Sequence, residues 1–192
     1  WTLDLTTNAW RKLSTAGTKP TRYGHSSILY NGQMVVFGGY DGRYNNEIWT
    51  LNLSTNTWSE VTISGTKPSA RAFFSSIVYN GQMFVFGGKG YGGLLLNDVW
   101  ALNLTSYAWT EVATMPALVK PSVRHHHSSI LYNDTMVIFG GLSTSNILFN
   151  DVWTLDLNLN VKDVKSDKTN TIFQNTIKQE NKAEVYISYI TV

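Results

Sequence analysis

Three consecutive imidazoles, His125, His126 and His127, are the most reactive-looking cluster in the sequence. Imidazole nitrogen is a common ligand for transition metals. A metal centre needs donors that converge, whereas neighbours along an extended strand point to opposite sides. No carboxylate lies near the three at ligand spacing, and the chain has no cysteine, so no metal ligand set is expected. A second chemically capable set is Arg22, Arg71 and Arg124 together with Glu47, Asp98 and Asp151, each acid two residues before a Trp. Guanidinium and carboxylate match as a two-pronged pair. Their regular recurrence predicts structural ion pairs, within one repeat or between neighbours, in preference to a substrate clamp. Trp49, Trp58, Trp100, Trp109 and Trp153 offer flat faces of the kind that stack on sugars, but a fixed place in each repeat assigns them to packing. The glycine pairs Gly38-Gly39, Gly87-Gly88 and Gly140-Gly141 are followed by no Lys-Ser/Thr and open no helix, so they do not cradle phosphate. No nucleophile with base and orienter and no close carboxylate pair emerges, so no catalytic, cofactor or metal residue is expected.

These residues sit in a repeating frame. Met34-Val35-Val36-Phe37-Gly38-Gly39 returns as Met83 to Gly88 and as Met136 to Gly141, at spacings of 49 and 53 residues. Four apolar residues ending in two glycines describe a strand covered on both faces that leaves through a sharp backbone turn. Before each lies an apolar run, Ile28 to Tyr30, Ile77 to Tyr79 and Ile130 to Tyr132, joined to it through Asn31-Gly32, Asn80-Gly81 and Asn133-Asp134. Asn-Gly between apolar runs is the strongest short hairpin signal, and Asn-Asp accepts the required backbone less readily. After each lies an alternating run such as Ile48-Trp49-Thr50-Leu51-Asn52-Leu53, then a turn and a strand carrying Trp58 or Trp109. One unit is therefore four strands, here a to d, near residues 26–30, 34–37, 47–53 and 57–63.

The signature of Pro shortly before Arg, then Ser-Ser, Phe-Gly-Gly, Asp/Glu-x-Trp-x-Leu-x-Leu and Trp resembles the kelch repeat of β-propeller proteins, whose period near 50 residues it shares. The resemblance covers residues 1–157. It implies an all-β, partial propeller with units at about 1–13, 21–63, 70–113 and 124–157: two full blades, strands a to c of a third, and strands c and d of an earlier one. With no initiator Met and a first residue inside a repeat, the chain reads as a piece of a longer protein. Residues 158–192 lose Trp, Gly and Pro and read as a polar Asn/Lys-rich tail, with β-prone character at 185–192.

Strand order places the short a–b and c–d turns on one face and the longer, variable b–c and d–a connections on the other. Variable loops on a rigid scaffold are where binding concentrates. The candidates on that face are Tyr40, Arg43, Tyr44, Tyr91, Leu94, Leu95, Ile147, Leu148 and Phe149. Tyr and Arg are favoured interface anchors.

Charged residues are 15% and aromatics 13% of the chain, and the net charge of +2 is too small to argue for nucleic acid. No apolar run reaches membrane-spanning length, so no membrane partner is expected. Absence of cysteine leans the expected compartment to the cytoplasm. The resemblance implies a non-catalytic scaffold or adaptor that binds protein partners. The alternative it allows is a metal-dependent kelch enzyme, oxidase or specifier-like, with its site in blades outside this stretch. The oxidase type needs a cysteine that this chain lacks, and no acidic and histidine iron constellation matches the specifier type.

Overall fold

Asn31 and Gly32 both take left-handed backbone, with φ of 45° and 71°. This is the tight turn whose twist matches two paired strands. Asn80-Gly81 repeats it at 46° and 70°, and Asn133-Asp134 adopts the same turn at 43° and 58° without a glycine. Each hairpin seeds one antiparallel sheet. In the computed structural model, which describes residues 1–113 and 120–158, the regular structure is all β apart from one turn of 3-10 helix at Tyr91–Gly93.

The first sheet pairs β1 (Thr2–Asp4) with β2 (Ala9–Arg11). The second runs in order through β3 (Ser26–Tyr30), β4 (Gln33–Phe37), β5 (Ile48–Asn52) and β6 (Thr57–Val61). The third contains β7 (Arg71–Ala72), β8 (Ser75–Tyr79), β9 (Gln82–Gly90), β10 (Leu95–Asn103) and β11 (Trp109–Glu111), with β7 and β8 both pairing to β9. The fourth is β12 (Ser128–Tyr132), β13 (Thr135–Phe139) and β14 (Val152–Asp156). This is a segment of a β-propeller.

The sheets stack face to face because alternate residues of each strand project to opposite sides. Val35, Phe37 and Ile48 of the second sheet meet Phe74, Met83, Val85, Trp100 and Leu102 of the third. The third sheet's other face, with Ile77, Phe84, Phe86 and Val99, meets Met136 and Ile138 of the fourth. The inner strands are also tied by the Ser26 and Ser76 hydroxyls at 2.6 Å. Ser76→Ala should cost about 1 kcal/mol, readable as a lower denaturation midpoint with unchanged m-value.

Two strands differ from the sequence expectation. The glycine pair does not end the strand in the third sheet, where β9 continues to Gly90 and β10 begins at Leu95. The reason is tertiary: β7 supplies Arg71 and Ala72 as partners for Gly90 and Lys89. The b–c connection of this unit shrinks to Tyr91–Leu94, and Leu95 becomes a core residue at 5% exposure, which removes it from the candidate loop residues. The triple histidine lies before β12 and not within it, and His126 has a φ of 58°. The strand-alternation argument therefore does not apply there, and the His125 and His126 rings come together through their Nδ1 atoms. The proposed tail at 158–192 apart from Asn158, with its strand at 185–192, and residues 114–119 of the connection between β11 and β12 lie outside the described residues.

Candidate protein-binding face

Both short turns of each unit lie at one end of the sheets, shown by Leu53 N–H donating to Gly32 O, Leu104 N–H to Gly81 O and Leu157 N–H to Asp134 O. The c–d turns are closed by side chains. Asn52 Oδ1 accepts from the Ser54 and Thr55 amides, and Asn103 Oδ1 from Thr105 and Ser106. This use of the Asn before the last Leu of each alternating run was missed in the sequence, although Leu-(Asn/Asp)-Leu-(Ser/Thr) signals it.

At the opposite end the arginines hold the loops down. Arg71 Nη1 and Nη2 donate to Asp98 Oδ1 and Oδ2 at 2.7 and 2.8 Å, while Nη1 also reaches Gly87 O at 3.1 Å. Arg124 repeats this on Asp151 at 2.7 and 2.8 Å and on Gly140 O at 2.9 Å. Both guanidiniums are fully buried. Each pair lies within one repeat unit, and the arginine backbone reaches the unit before it: Gly39 N–H donates to Arg71 O, Gly88 N–H to Arg124 O, and Arg71 N–H to Asn45 O. The glycine pairs are required by this approach, since a Cβ on Gly38 would stand 2.7 Å from Arg71 O. Asn46 and Asn97 add clamps to Pro68 O and Pro121 O, a role with only their fixed place before the acid to signal it.

The acids are tuned accordingly. Burial pushes Asp98 up, but its Arg71 hydrogen bonds and charge outweigh this and leave it below the usual carboxylate range. The Arg124 hydrogen bond carries Asp151 down to about 2. Each acid also receives a Trp Nε1, from Trp100 at 2.8 Å and Trp153 at 2.6 Å. In the second sheet the longer Glu47 gives Arg22 a single oxygen at 3.2 Å, and Trp49 Nε1 and Arg22 Nε find no partner. Glu47→Asp should restore the two-pronged geometry and raise stability by about 1 kcal/mol in chemical denaturation. Of the repeated tryptophans, Trp49, Trp100 and Trp109 are buried, and Trp58 and Trp153 are half-buried.

Above these anchors stand the loops. Tyr91 is 92% exposed, Leu148 78% and Leu94 63%. Arg43 is exposed beside Asp41. Tyr40 and Tyr44 are half-buried with ring centroids 5.1 Å apart. Phe149 is half-buried, and the Arg124 guanidinium lies 4.2 Å from its ring centre, so it caps an anchor more than it faces outward. The face thus combines buried arginines paired within the fold with apolar tips left free. Among the described residues no group of three or more His, Asp or Glu is placed to hold a metal, and no helix is long and apolar enough to cross a membrane.

A family model described as the KLHDC2/KLHL20/DRC7 Kelch-repeats domain matches residues 1–161. Kelch domain-containing protein 10 of Homo sapiens is 32% identical over 156 residues, covering 77% of this chain and 35% of that protein. Tip elongation aberrant protein 1 of Schizosaccharomyces pombe is 30% identical over 168 residues, covering 80% of this chain and 14% of that protein. The chain spans about a third of the length of the kelch domain-containing relatives it matches.

Proposed function

Because this chain belongs to the kelch-repeat family, we propose that it acts as a non-catalytic protein-interaction scaffold whose partner is held by the long b–c and d–a loops. The observation that carries this reading is the contrast on one face between buried, internally paired charges and protruding apolar tips. Arg71 and Arg124 are fully buried on Asp98 and Asp151, whereas Tyr91, Leu94, Ile147 and Leu148 are more than half exposed. Fixed anchors beneath exposed aromatic and aliphatic tips supply what an interface hot spot needs. The functional unit in this reading is residues 1–157, and residues 158–192 are an appended tail. The cysteine-free composition suits a cytoplasmic setting.

Combining Tyr91→Ala with Leu148→Ser tests the reading. Both side chains are exposed, so stability should stay within about 0.5 kcal/mol of the parent. Affinity for the partner captured by the intact protein should fall about tenfold or more. Unchanged affinity with both tips removed would contradict the assignment.

A further inference from the structure

Six rings form a continuous row across three sheets, beside the start of the innermost strands on the long-loop face. Tyr44 meets Tyr40 at 5.1 Å, Tyr40 meets Tyr23 at 5.6 Å, and Tyr23 meets Phe73 at 5.8 Å. Phe73 stacks on His126 at 4.2 Å with 22° between the planes, and His126 meets His125 at 4.6 Å. The row follows a backbone staircase in which Phe73 N–H donates to Gly24 O and His126 N–H to Phe73 O.

The backbone shows that the rings are not there for the turn. Phe73 and His126 hold left-handed φ of 59° and 58°, while the equivalent residue one sheet earlier is Gly24 at 66°. Glycine makes the same turn and accepts the same hydrogen bond without strain, so large side chains at the next two steps are retained against local preference. Strain kept where a relaxed residue suffices marks a working surface.

The row's polar groups can each donate a hydrogen bond. The hydroxyls of Tyr23, Tyr40 and Tyr44 have no hydrogen-bond partner among the described residues, and Tyr23 is 59% exposed. Asp41, next to Tyr40, already accepts from the Arg43 amide. At the other end burial holds His125 and His126 below the ordinary imidazole value, helped at His125 by His126 and then Lys89, and at His126 by Lys89. Aromatic faces edged by groups able to donate suit a partner with unpaired carbonyls and rings that can pack on them. A polyproline II segment is that partner: its carbonyls make no internal hydrogen bonds, its prolines have no N–H, and its rings pack on aromatic faces. The Lys89 charge, with no free carboxylate beside it among the described residues, calls for an acid at that end.

We propose that this aromatic row binds an extended proline-rich peptide segment whose acidic residue meets Lys89. Seven or eight residues at about 3.1 Å each would follow the row from ring to ring. The proposal rests on the reading of this face as a protein-binding surface and names the chemistry of what it takes.

Fluorescence anisotropy on the intact protein tests it, using a labelled Pro-Pro-Ala-Pro-Pro-Glu-Glu peptide. One control replaces the prolines by Gly and Ser, and another replaces the glutamates by lysines. The parent peptide should bind about tenfold tighter than either control. Phe73→Gly and His126→Gly should each weaken it about tenfold with melting temperature unchanged or raised, and Lys89→Glu should reverse the glutamate–lysine preference. Equal binding of the Gly/Ser control, or full binding by either glycine variant, would overturn the proposal. If the peptides fail while Tyr91→Ala with Leu148→Ser still releases the partner, the row assignment alone falls. If neither set has an effect, the scaffold reading falls with it.

Discussion

Arg71→Ala should destabilise the protein by about 3–5 kcal/mol, the range for breaking a buried pair by removing one partner. The residue is fully buried and holds both oxygens of Asp98, the carbonyl of Gly87 and the carbonyl and hydroxyl of Ser69. Truncation leaves Asp98 and the Gly87 carbonyl short of donors and opens a cavity at the junction with the second sheet. Arg22→Ala should cost distinctly less, because its single contact to Glu47 is 3.2 Å and its Nε is already without a partner. Urea denaturation of both variants reads the difference. A substrate-binding role for the arginines predicts the reverse pattern, with Arg71→Ala melting like the parent while partner binding disappears.

His127→Phe should remove the largest single part of the protein's sensitivity to mild acid. The imidazole is buried between the third and fourth sheets, edge-on to Phe86 at 5.1 Å, and neither ring nitrogen finds a partner. Burial, reinforced by the Arg124 charge, lowers its pKa from 6.5 to about 4. Because the folded-state value is lowered, the unfolded chain takes up the proton first. Stability is fully present above pH 6.5 and declines as pH falls from there to about 4, by a total of about 3 kcal/mol. Asp98 and Asp151 act in the same direction but below the usual carboxylate range. Phe74 occupies the equivalent place one sheet earlier and packs on Phe37 at 5.4 Å, so phenylalanine fits the site's shape. The variant's stability should fall distinctly less than the parent's between pH 6.5 and 4.5, with a residual slope from His25, His125 and His126, whose values burial also lowers, whereas an unchanged acid slope would show that the His127 imidazole is not a titrating group.

Much of this architecture is legible in the chain because hairpin chemistry and core patterning agree in every repeat. Asn31-Gly32 and the apolar runs around it place β3 and β4 to within a residue. Burial is less legible, since it depends on what stacks against a face. Phe37 and Phe139 occupy the same place in the repeat, yet one is fully buried and the other 55% exposed. Ile28 and Ile130 divide the same way, the first packed against the core and the second 62% exposed. The extension of β9 over Gly87 to Gly90 was invisible for a related reason. Gly-Gly-Lys-Gly has weak strand propensity, and pairing with Arg71–Ala72 overrides it. Tyr40 and Tyr44 of the aromatic row were visible as loop residues, but the row's continuation through Phe73 and His126 depends on left-handed φ values that no spacing rule reports.

One face of this propeller segment is proposed to bind a protein partner through its long loops. Hydrogen–deuterium exchange of the intact protein, free and with its captured partner, tests that claim most directly. The account predicts new protection at residues 40–46, 91–94 and 142–149, with exchange unchanged at the short turns 31–32, 54–56 and 80–81. Protection confined to those short turns, or to the outer strands β6 and β11, would contradict it.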